Sequence, residues 1–209
     1  LGDVYKRQRH GTVYMSSACD AWQAPEADYG VSRACLSLLL ESSLSLFLQT
    51  KSALVERDFD LLNGRRNVRF GVTVTTVDDT VARTFEPGAS PPAERLRVLT
   101  RARDIGLQVF VFLGPLLPGI SDRGEGLQQL MRTVAEVQPD SVFVDRLNRR
   151  AGMWPAVAKA AGAVDSALLV AFRRVLFSSE QTAYETGLRE RVRRAAAQHG
   201  LLERIDWCF

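Results

Sequence analysis

Short apolar segments rich in β-branched residues alternate along the chain with segments whose apolar residues recur at helical spacing. The candidate strands are residues 11–17, 44–50, 68–76, 107–117 and 141–147, and a helical pattern follows each of the first four. Strands that alternate with helices of this length predict parallel pairing with right-handed crossovers. The pattern therefore predicts an α/β fold of successive βα units, either an open doubly wound sheet or a barrel.

The pattern changes after residue 150, where only helical segments are predicted and no convincing strand is found. We interpret residues 151–209 as a C-terminal helical extension packed on the sheet, and residues 11–150 as the main βα domain. Residues 1–10 match no periodic element, and their first part, LGDVYKRQ, is typical of read-through from a sequencing library. We interpret them as a non-native leader.

Composition narrows the class of protein. A chain of 209 residues that is 46% hydrophobic can bury one substantial core. The net charge of +3 comes from arginines scattered over the predicted helices, which favours solvated faces, with nucleic-acid contact as the alternative. No apolar run approaches the ~20 residues that a membrane-spanning helix needs, so no membrane partner is expected. The three cysteines are far apart and odd in number, which predicts a reducing, cytoplasmic location.

Candidate chemistry lies at the strand ends, because ligands of parallel α/β folds bind at the carboxyl ends of the strands. Lys51 follows an apolar strand and is one of only three lysines, beside Lys6 and Lys159. It is a candidate anion contact, with a solvated loop lysine as the alternative. The histidines do not support a triad or a His-ligated metal, and no glycine-rich phosphate loop or CxxC pair occurs.

Two other groups of strand-end residues also have structural alternatives. Asp20 and Asp122 are candidate ligand contacts, but carboxylates at strand-to-helix turns often cap the following helix. Thr73 and its neighbours Thr75 and Thr76 are candidate hydroxyl contacts, but β-branched residues are common in strands for packing alone. From spacing alone, the prediction stops at a βα protein with a polar strand-end site around one lysine.

Four stretches within residues 11–150 carry a family resemblance. They are VYMSSACDAWQAPEADYGVSRACLSLLLE, TKSALVERDFDLL, VTVTTVDDTVARTFEPGASPPAERL and GPLLPGISD. In this order and at these separations they resemble the radical S-adenosylmethionine enzymes, specifically the spore photoproduct lyase-like branch. The positions that match the family patterns are Asp20, Gln23, Glu26, Arg33, the Thr50-Lys51-Ser52 stretch, Glu86, Pro87 and Ser90.

The resemblance implies a partial (β/α)6 TIM-like barrel that lacks its first strand and holds S-adenosylmethionine with a [4Fe-4S] cluster. In that family the cluster reductively cleaves the cofactor, and the resulting 5′-deoxyadenosyl radical abstracts hydrogen. Lys51 would then meet the methionine carboxylate, and Thr73 the methionine or ribose moiety. Ser16 and Ser17 would line the groove near the methionine amino group, and Asp20 would belong to the same cofactor-binding set.

Two further residues are candidates for substrate chemistry. Spore photoproduct lyases use a cysteine in the second-strand loop as a hydrogen donor, and Cys19 lies in that loop at a different offset, so a small packed thiol is its alternative. Trp22 would stack on a base or pack in place of the family's Tyr. DNA lesion repair is the family's best-known activity, so DNA or a nucleotide is the candidate substrate. The family also implies an electron donor such as a flavodoxin or ferredoxin.

One departure from the family pattern limits the expectation for this chain. The three-cysteine cluster loop and the strand before it are absent, and Cys19, Cys35 and Cys208 are spaced too widely to replace it. We therefore expect a fragment of a longer enzyme that is inactive alone, with cluster ligands upstream. The alternatives are a redox-inactive βα-barrel enzyme that binds a small anionic ligand, and a basic nucleic-acid-binding module.

Overall fold

The structure, a computed structural model, describes residues 10–15 and 19–209. Its strands are β1 (Thr12–Met15), β2 (Ser45–Thr50), β3 (Val68–Thr73), β4 (Gln108–Leu116), β5 (Ser141–Arg146) and β6 (Ile205–Trp207). Its α-helices are α1 (Glu26–Tyr29), α2 (Val31–Leu40), α3 (Phe59–Leu62), α4 (Asp79–Phe85), α5 (Pro92–Asp104), α6 (Gly124–Val137), α7 (Trp154–Val164), α8 (Leu168–Phe177) and α9 (Gln181–Gln198).

The described strands form one parallel sheet in the order β1-β2-β3-β4-β5-β6. Each strand therefore lies beside its neighbour in the sequence, which is the arrangement of a βα barrel and not of a doubly wound sheet. The predicted α/β class and the five predicted strands are confirmed. All carboxyl ends lie at one edge of the sheet, so the residues after each strand are brought together.

A sixth strand lies where the sequence predicted only helices. Ile205–Trp207 pairs with β5 in parallel register, and α9 packs into the main core through Leu188 and Val192. The expectation of no strand after residue 150 was wrong, because a strand of three residues has too few positions to show an alternating pattern. The segment 151–209 thus contributes three helices and a strand to the fold.

The main core lies between one face of the sheet and the helices that follow the strands. In β2 the side chains of Leu46 and Leu48 are buried on this face, whereas Phe47 and Gln49 alternate to the other face. We call the second face, which bears Phe47, Gln49, Gly71 and Thr73, the inner face. A smaller apolar cluster surrounds Phe172 where α7 and α8 pack with α4 at the carboxyl ends of β4 and β5.

Two helices, the short α1 and the longer α2, lie between β1 and β2, where the sequence predicted a helical segment. Gly30 adopts a left-handed conformation with φ of 63°, which ends α1. Glu26 then caps α2 from a distance, because its carboxylate accepts the backbone N–H groups of Ser32 and Arg33 at 2.9 and 3.1 Å. Burial opposes the charge of Glu26, but these hydrogen bonds and that of Arg57 lower its pKa below the usual range.

Candidate functional site

A small cleft of about 220 Å³ opens at the carboxyl ends of β2 and β3. It is lined by Cys19, Asp20, Gln49, Thr50, Lys51 and Thr73. A second cavity of about 380 Å³ lies against it and shares the side chains of Asp20 and Lys51. The structure thus brings four of the six sequence-predicted site residues to one place. The other two, Ser16 and Ser17, lie outside the described residues.

Asp20 is fully engaged with the protein in this arrangement. Its Oδ1 accepts the Trp22 backbone N–H at 2.9 Å and the Thr50 hydroxyl at 2.7 Å, and its Oδ2 accepts the Lys51 backbone N–H at 2.6 Å. It does not cap a helix, as one alternative proposed, but fastens the segment after β1 to the end of β2. Its carboxylate therefore has little capacity left for a ligand.

Lys51 reaches the cleft as a partly exposed cation. Its Nζ lies 2.7 Å from Glu86 Oε1, and 38% of its side chain is accessible to solvent. The contact is an ion pair outside hydrogen-bond geometry, since Glu86 Oε1 has no hydrogen-bond partner in the described structure. Glu86 is also paired with the buried Arg95 at 2.7 Å. The ammonium group is thus anchored on one side and open on the other.

A hydrogen-bonded row crosses the inner face beneath Lys51. The Tyr14 hydroxyl donates to Gln49 Oε1 at 2.5 Å, and Gln49 Nε2 donates to Thr73 Oγ1 at 2.8 Å. Because Thr73 accepts in this row, its own O–H is left to donate into the cleft. Thr75, two residues further on, carries a buried hydroxyl oxygen with no hydrogen-bond partner among the described residues.

An aromatic layer lies one step further from the carboxyl edge on the same face. Phe47 and Phe110 stack with ring centroids 4.2 Å apart, and Phe143 meets the edge of Phe110 at 5.4 Å. The Phe110 ring passes over Gly71, where a Cβ atom would come within 2.3 Å of it. Arg69 closes the layer with its guanidinium over Phe47. The cleft itself is lined by polar residues such as Gln49, Lys51 and Thr73, and the aromatic layer lies beyond them.

The two residues considered for substrate chemistry differ in accessibility. Cys19 is exposed at the cleft. Trp22 is completely buried, and its indole N–H donates to the Asp58 carboxylate at 2.8 Å. Trp22 therefore packs and does not offer a surface for base stacking, in agreement with the packing alternative.

Sequence reasoning missed a set of titratable groups on the inner face near β5 and β6. Burial raises the pKa of Tyr14, of Asp145 and of the Cys208 thiol, and the nearby Asp145 carboxylate raises the Cys208 pKa further. Asp145 lies near the end of the predicted fifth strand, where its charge alone gives no sign of burial, and Cys208 was missed because β6 was not predicted. The alternation of β2 would have identified Gln49, which lies two residues after Phe47 on the same face.

The described residues differ in how well they suit the two groups that the resemblance implies, S-adenosylmethionine and a [4Fe-4S] cluster. They contain no cluster of three or more His, Cys, Asp or Glu side chains able to hold a metal ion. They therefore do not fit a [4Fe-4S] cluster, which needs cysteine thiolates from this chain or from residues beyond the described part. The cleft does fit an anionic group of a small cofactor, because Lys51 and Thr73 present donors to it.

Among the described residues, no helix combines the length and the apolar character needed to cross a membrane.

Comparison with known proteins places the fold. No family model matches the chain. Solved structures of spore photoproduct lyase superpose on all of it: one, with bound S-adenosylmethionine (AdoMet) and dinucleoside spore photoproduct, has a TM-score of 0.69 at 12% identity. A complex with dinucleoside spore photoproduct has a TM-score of 0.66 at 13% identity, and the chain covers 64% of each of these structures. The chain therefore has the fold of spore photoproduct lyase.

Curated sequence relatives are uncharacterised proteins. ORF301 of Acidianus two-tailed virus is 35% identical over 150 residues, which are 70% of this chain and 49% of the relative. Rv2578c of Mycobacterium tuberculosis is 30% identical over 145 residues, which are 68% of this chain and 43% of the relative. The chain thus spans about half the length of these curated relatives.

Proposed function

We propose that this chain is part of a longer radical S-adenosylmethionine enzyme, and that the cleft holds the methionine end of the cofactor. The observation that carries the proposal is that the cleft has open hydrogen-bond donors, whereas its carboxylate acceptor is already occupied. Its carboxylate, Asp20, is occupied by three internal donors, whereas Lys51 and Thr73 present donors to the open space. A site with open donors and no open acceptor is suited to bind the carboxylate of a ligand.

Lys51 would bind the methionine carboxylate through a charge-assisted contact, and the Thr73 hydroxyl would donate to the methionine or ribose moiety. Ser16 and Ser17 remain proposed contacts near the methionine amino group. Asp20 is proposed to act in this set by fixing the backbone of Lys51.

In enzymes of this class the bound cofactor supplies the means to abstract a hydrogen atom from the substrate. The cluster ligands are proposed to lie in a three-cysteine loop within ~60 residues upstream of Gly11. For the whole protein we propose a DNA or nucleotide substrate, in the manner of spore photoproduct lyase-like lesion repair, and an electron donor such as a flavodoxin or ferredoxin. Cys19 is proposed as a hydrogen donor because it is exposed at the cleft.

Calorimetric titration of this chain with S-adenosylmethionine tests the assignment. We expect Lys51→Met to weaken binding about tenfold to a hundredfold, because a hydrogen bond to a charged group contributes roughly 1.5–3 kcal/mol. Lys159→Met is the matched control, since Lys159 is an exposed lysine on α7 beside a different cavity. Equal affinity of Lys51→Met and the unsubstituted chain would refute the proposal.

A second candidate function is a redox-inactive barrel that binds a small inorganic anion, because the same open ammonium at Lys51 would serve it. Titration with inorganic phosphate separates the two candidates. Phosphate binding that is lost in Lys51→Met, without any binding of S-adenosylmethionine, would favour this alternative.

A further inference from the structure

A buried arginine lies directly beneath the cleft. The Arg95 side chain is 1% exposed, and its Nη1 donates to the backbone carbonyl of Thr73 at 2.9 Å and to Glu86 Oε2 at 2.7 Å. Its Nε donates to the Ser90 carbonyl at 2.6 Å. One guanidinium therefore fixes the end of β3 and the carboxylate that contacts Lys51.

The Glu86 carboxylate lies between two cations that differ in freedom. Only 7% of its side chain is exposed, so its charge must be compensated within the protein. Arg95 is immobilised by its three acceptors and compensates the charge permanently. Lys51 is 38% exposed and touches the other carboxylate oxygen. Glu86 is thus held by Arg95 whether or not the ammonium of Lys51 engages a ligand.

The backbone of Lys51 is tied to the same segment. Its carbonyl accepts the Ser90 N–H at 3.0 Å, and the Ser90 hydroxyl accepts the Ala53 N–H at 2.8 Å. Both the main chain and the side chain of Lys51 therefore contact the segment with Glu86 and Ser90, which Arg95 holds in place.

We propose that Glu86, held in place by Arg95, is a positioning residue that orients the Lys51 ammonium toward the cleft. This inference rests on the proposed function and identifies how its main ligand contact is prepared. A ligand carboxylate would join the Glu86–Lys51 pair on the open side of the ammonium, and would not replace Glu86. The Lys51 side chain is then already ordered in the folded protein, so less conformational entropy is lost when the ligand binds.

Positioning and simple electrostatics predict opposite changes in anion affinity when the charge of Glu86 is removed. Glu86 places a negative charge 2.7 Å from Nζ, so Coulomb's law alone predicts that its neutralisation strengthens the binding of an anion. Positioning predicts the opposite, because the Lys51 side chain loses its anchor. The substitution Glu86→Gln, which keeps the shape and removes the charge, separates the two.

The first experiment compares two ligands by calorimetry on the full 209-residue chain. S-adenosylmethionine carries the methionine carboxylate, and 5′-methylthioadenosine lacks it. We expect Glu86→Gln to weaken S-adenosylmethionine about fivefold or more, while 5′-methylthioadenosine changes less than twofold. We expect Arg95→Lys, which keeps the charge and loses the planar fork, to give a smaller loss of the same selectivity.

Two results of this titration would overturn the proposal. Unchanged or tighter binding of S-adenosylmethionine in Glu86→Gln would show that the carboxylate does not position the lysine. An equal loss for both ligands would show a structural effect without selectivity. Failure of the proposed function has a different signature, because there Lys51→Met itself leaves the affinity for S-adenosylmethionine unchanged.

A second measurement needs no ligand. The chain has only three lysines, so ¹³C labelling of lysine yields three Cε signals that single substitutions can assign. We expect the Cε order parameter of Lys51 to exceed that of the exposed Lys159, and to fall to the Lys159 value in Glu86→Gln. Equal order parameters in the unsubstituted chain would overturn the proposal regardless of any binding result.

Discussion

The carboxyl ends of β2 and β4 carry similar polar residues, yet they are built for different purposes. At β2, Lys51 lines an open cleft together with Thr73 from the end of β3. After β4, Asp122 is completely buried, and it accepts the Gly119 N–H at 2.6 Å and the Tyr184 hydroxyl at 3.0 Å. The end of β2 has donors that are open to a ligand, whereas the polar groups after β4 are used in hydrogen bonds that stabilise the fold.

The C-terminal helices create this difference. Tyr184 and Arg191 of α9 reach over the end of β4 to Asp122, and the cluster around Phe172 covers the neighbouring ends with α7 and α8. No described helix covers the cleft at Lys51 in this way. A polar residue after a parallel strand is therefore a candidate ligand contact only where later elements leave it open.

The largest effect that tests this contrast is expected at Asp122. Asp122→Ala should lower the free energy of unfolding by about 3–5 kcal/mol, because it removes the acceptor of Arg123 and of the Tyr184 hydroxyl and the carboxylate that pairs with Arg191. Urea denaturation measures the loss. The control is Asp165→Ala in the loop between α7 and α8, which should cost far less. Similar stabilities of the two variants would contradict the contrast.

A smaller effect is expected at Glu26, which supports the cleft side of the sheet by capping α2. Because folding lowers the pKa of Glu26, its contribution is present above the pKa of the unfolded chain and is lost as the pH falls through the folded value. Glu26→Gln should cost about 1–3 kcal/mol at pH 7 and progressively less toward pH 3.

Thermal melting of Glu26→Gln across this pH range, with the exposed Glu41→Gln as control, measures that dependence. A difference between the variants that stays constant with pH would contradict the assignment.

A ligand effect without a stability effect is expected at Thr73. Thr73→Val removes the hydroxyl but preserves the shape, so affinity for S-adenosylmethionine should fall about fivefold to tenfold. Thr73→Ser should retain it. The free energy of unfolding should change by less than about 1 kcal/mol in either variant, since only the hydrogen bond to Gln49 is lost. A stability loss as large as that at Asp122 would place Thr73 with the structural residues.

The smallest effect is expected on the inner face near β6. The Asp145 carboxylate adds to burial in raising the Cys208 pKa, so Asp145→Asn should lower that pKa and increase the thiolate fraction. In a Cys19→Ser, Cys35→Ser background, iodoacetamide should then alkylate Cys208 roughly twofold faster at pH 8. An unchanged rate would show that the Asp145 carboxylate does not control the reactivity of this thiol.

The alternation of apolar patterns was sufficient to predict the α/β class, five strands and the strand-end position of Lys51. It was not sufficient for β6, which is too short to show a period, or for the separate short helix α1 that ends before Gly30. The partners of Asp20 could not be predicted either, because its carboxylate joins residues 30 and 31 positions away in the chain. Contacts of that kind depend on the register between strands, which local patterns do not specify.

The aromatic layer has a consequence for the evolution of the site. The ring of Phe110 occupies the space that any side chain at position 71 would need. The Phe110 ring can lie in this position only because Gly71 has no Cβ atom. Alanine at this position would have to displace the Phe110 ring, which packs on the same face as Gln49 and Thr73. We therefore expect that a single methyl group in this layer can change the shape of the site without any change in the residues that line it.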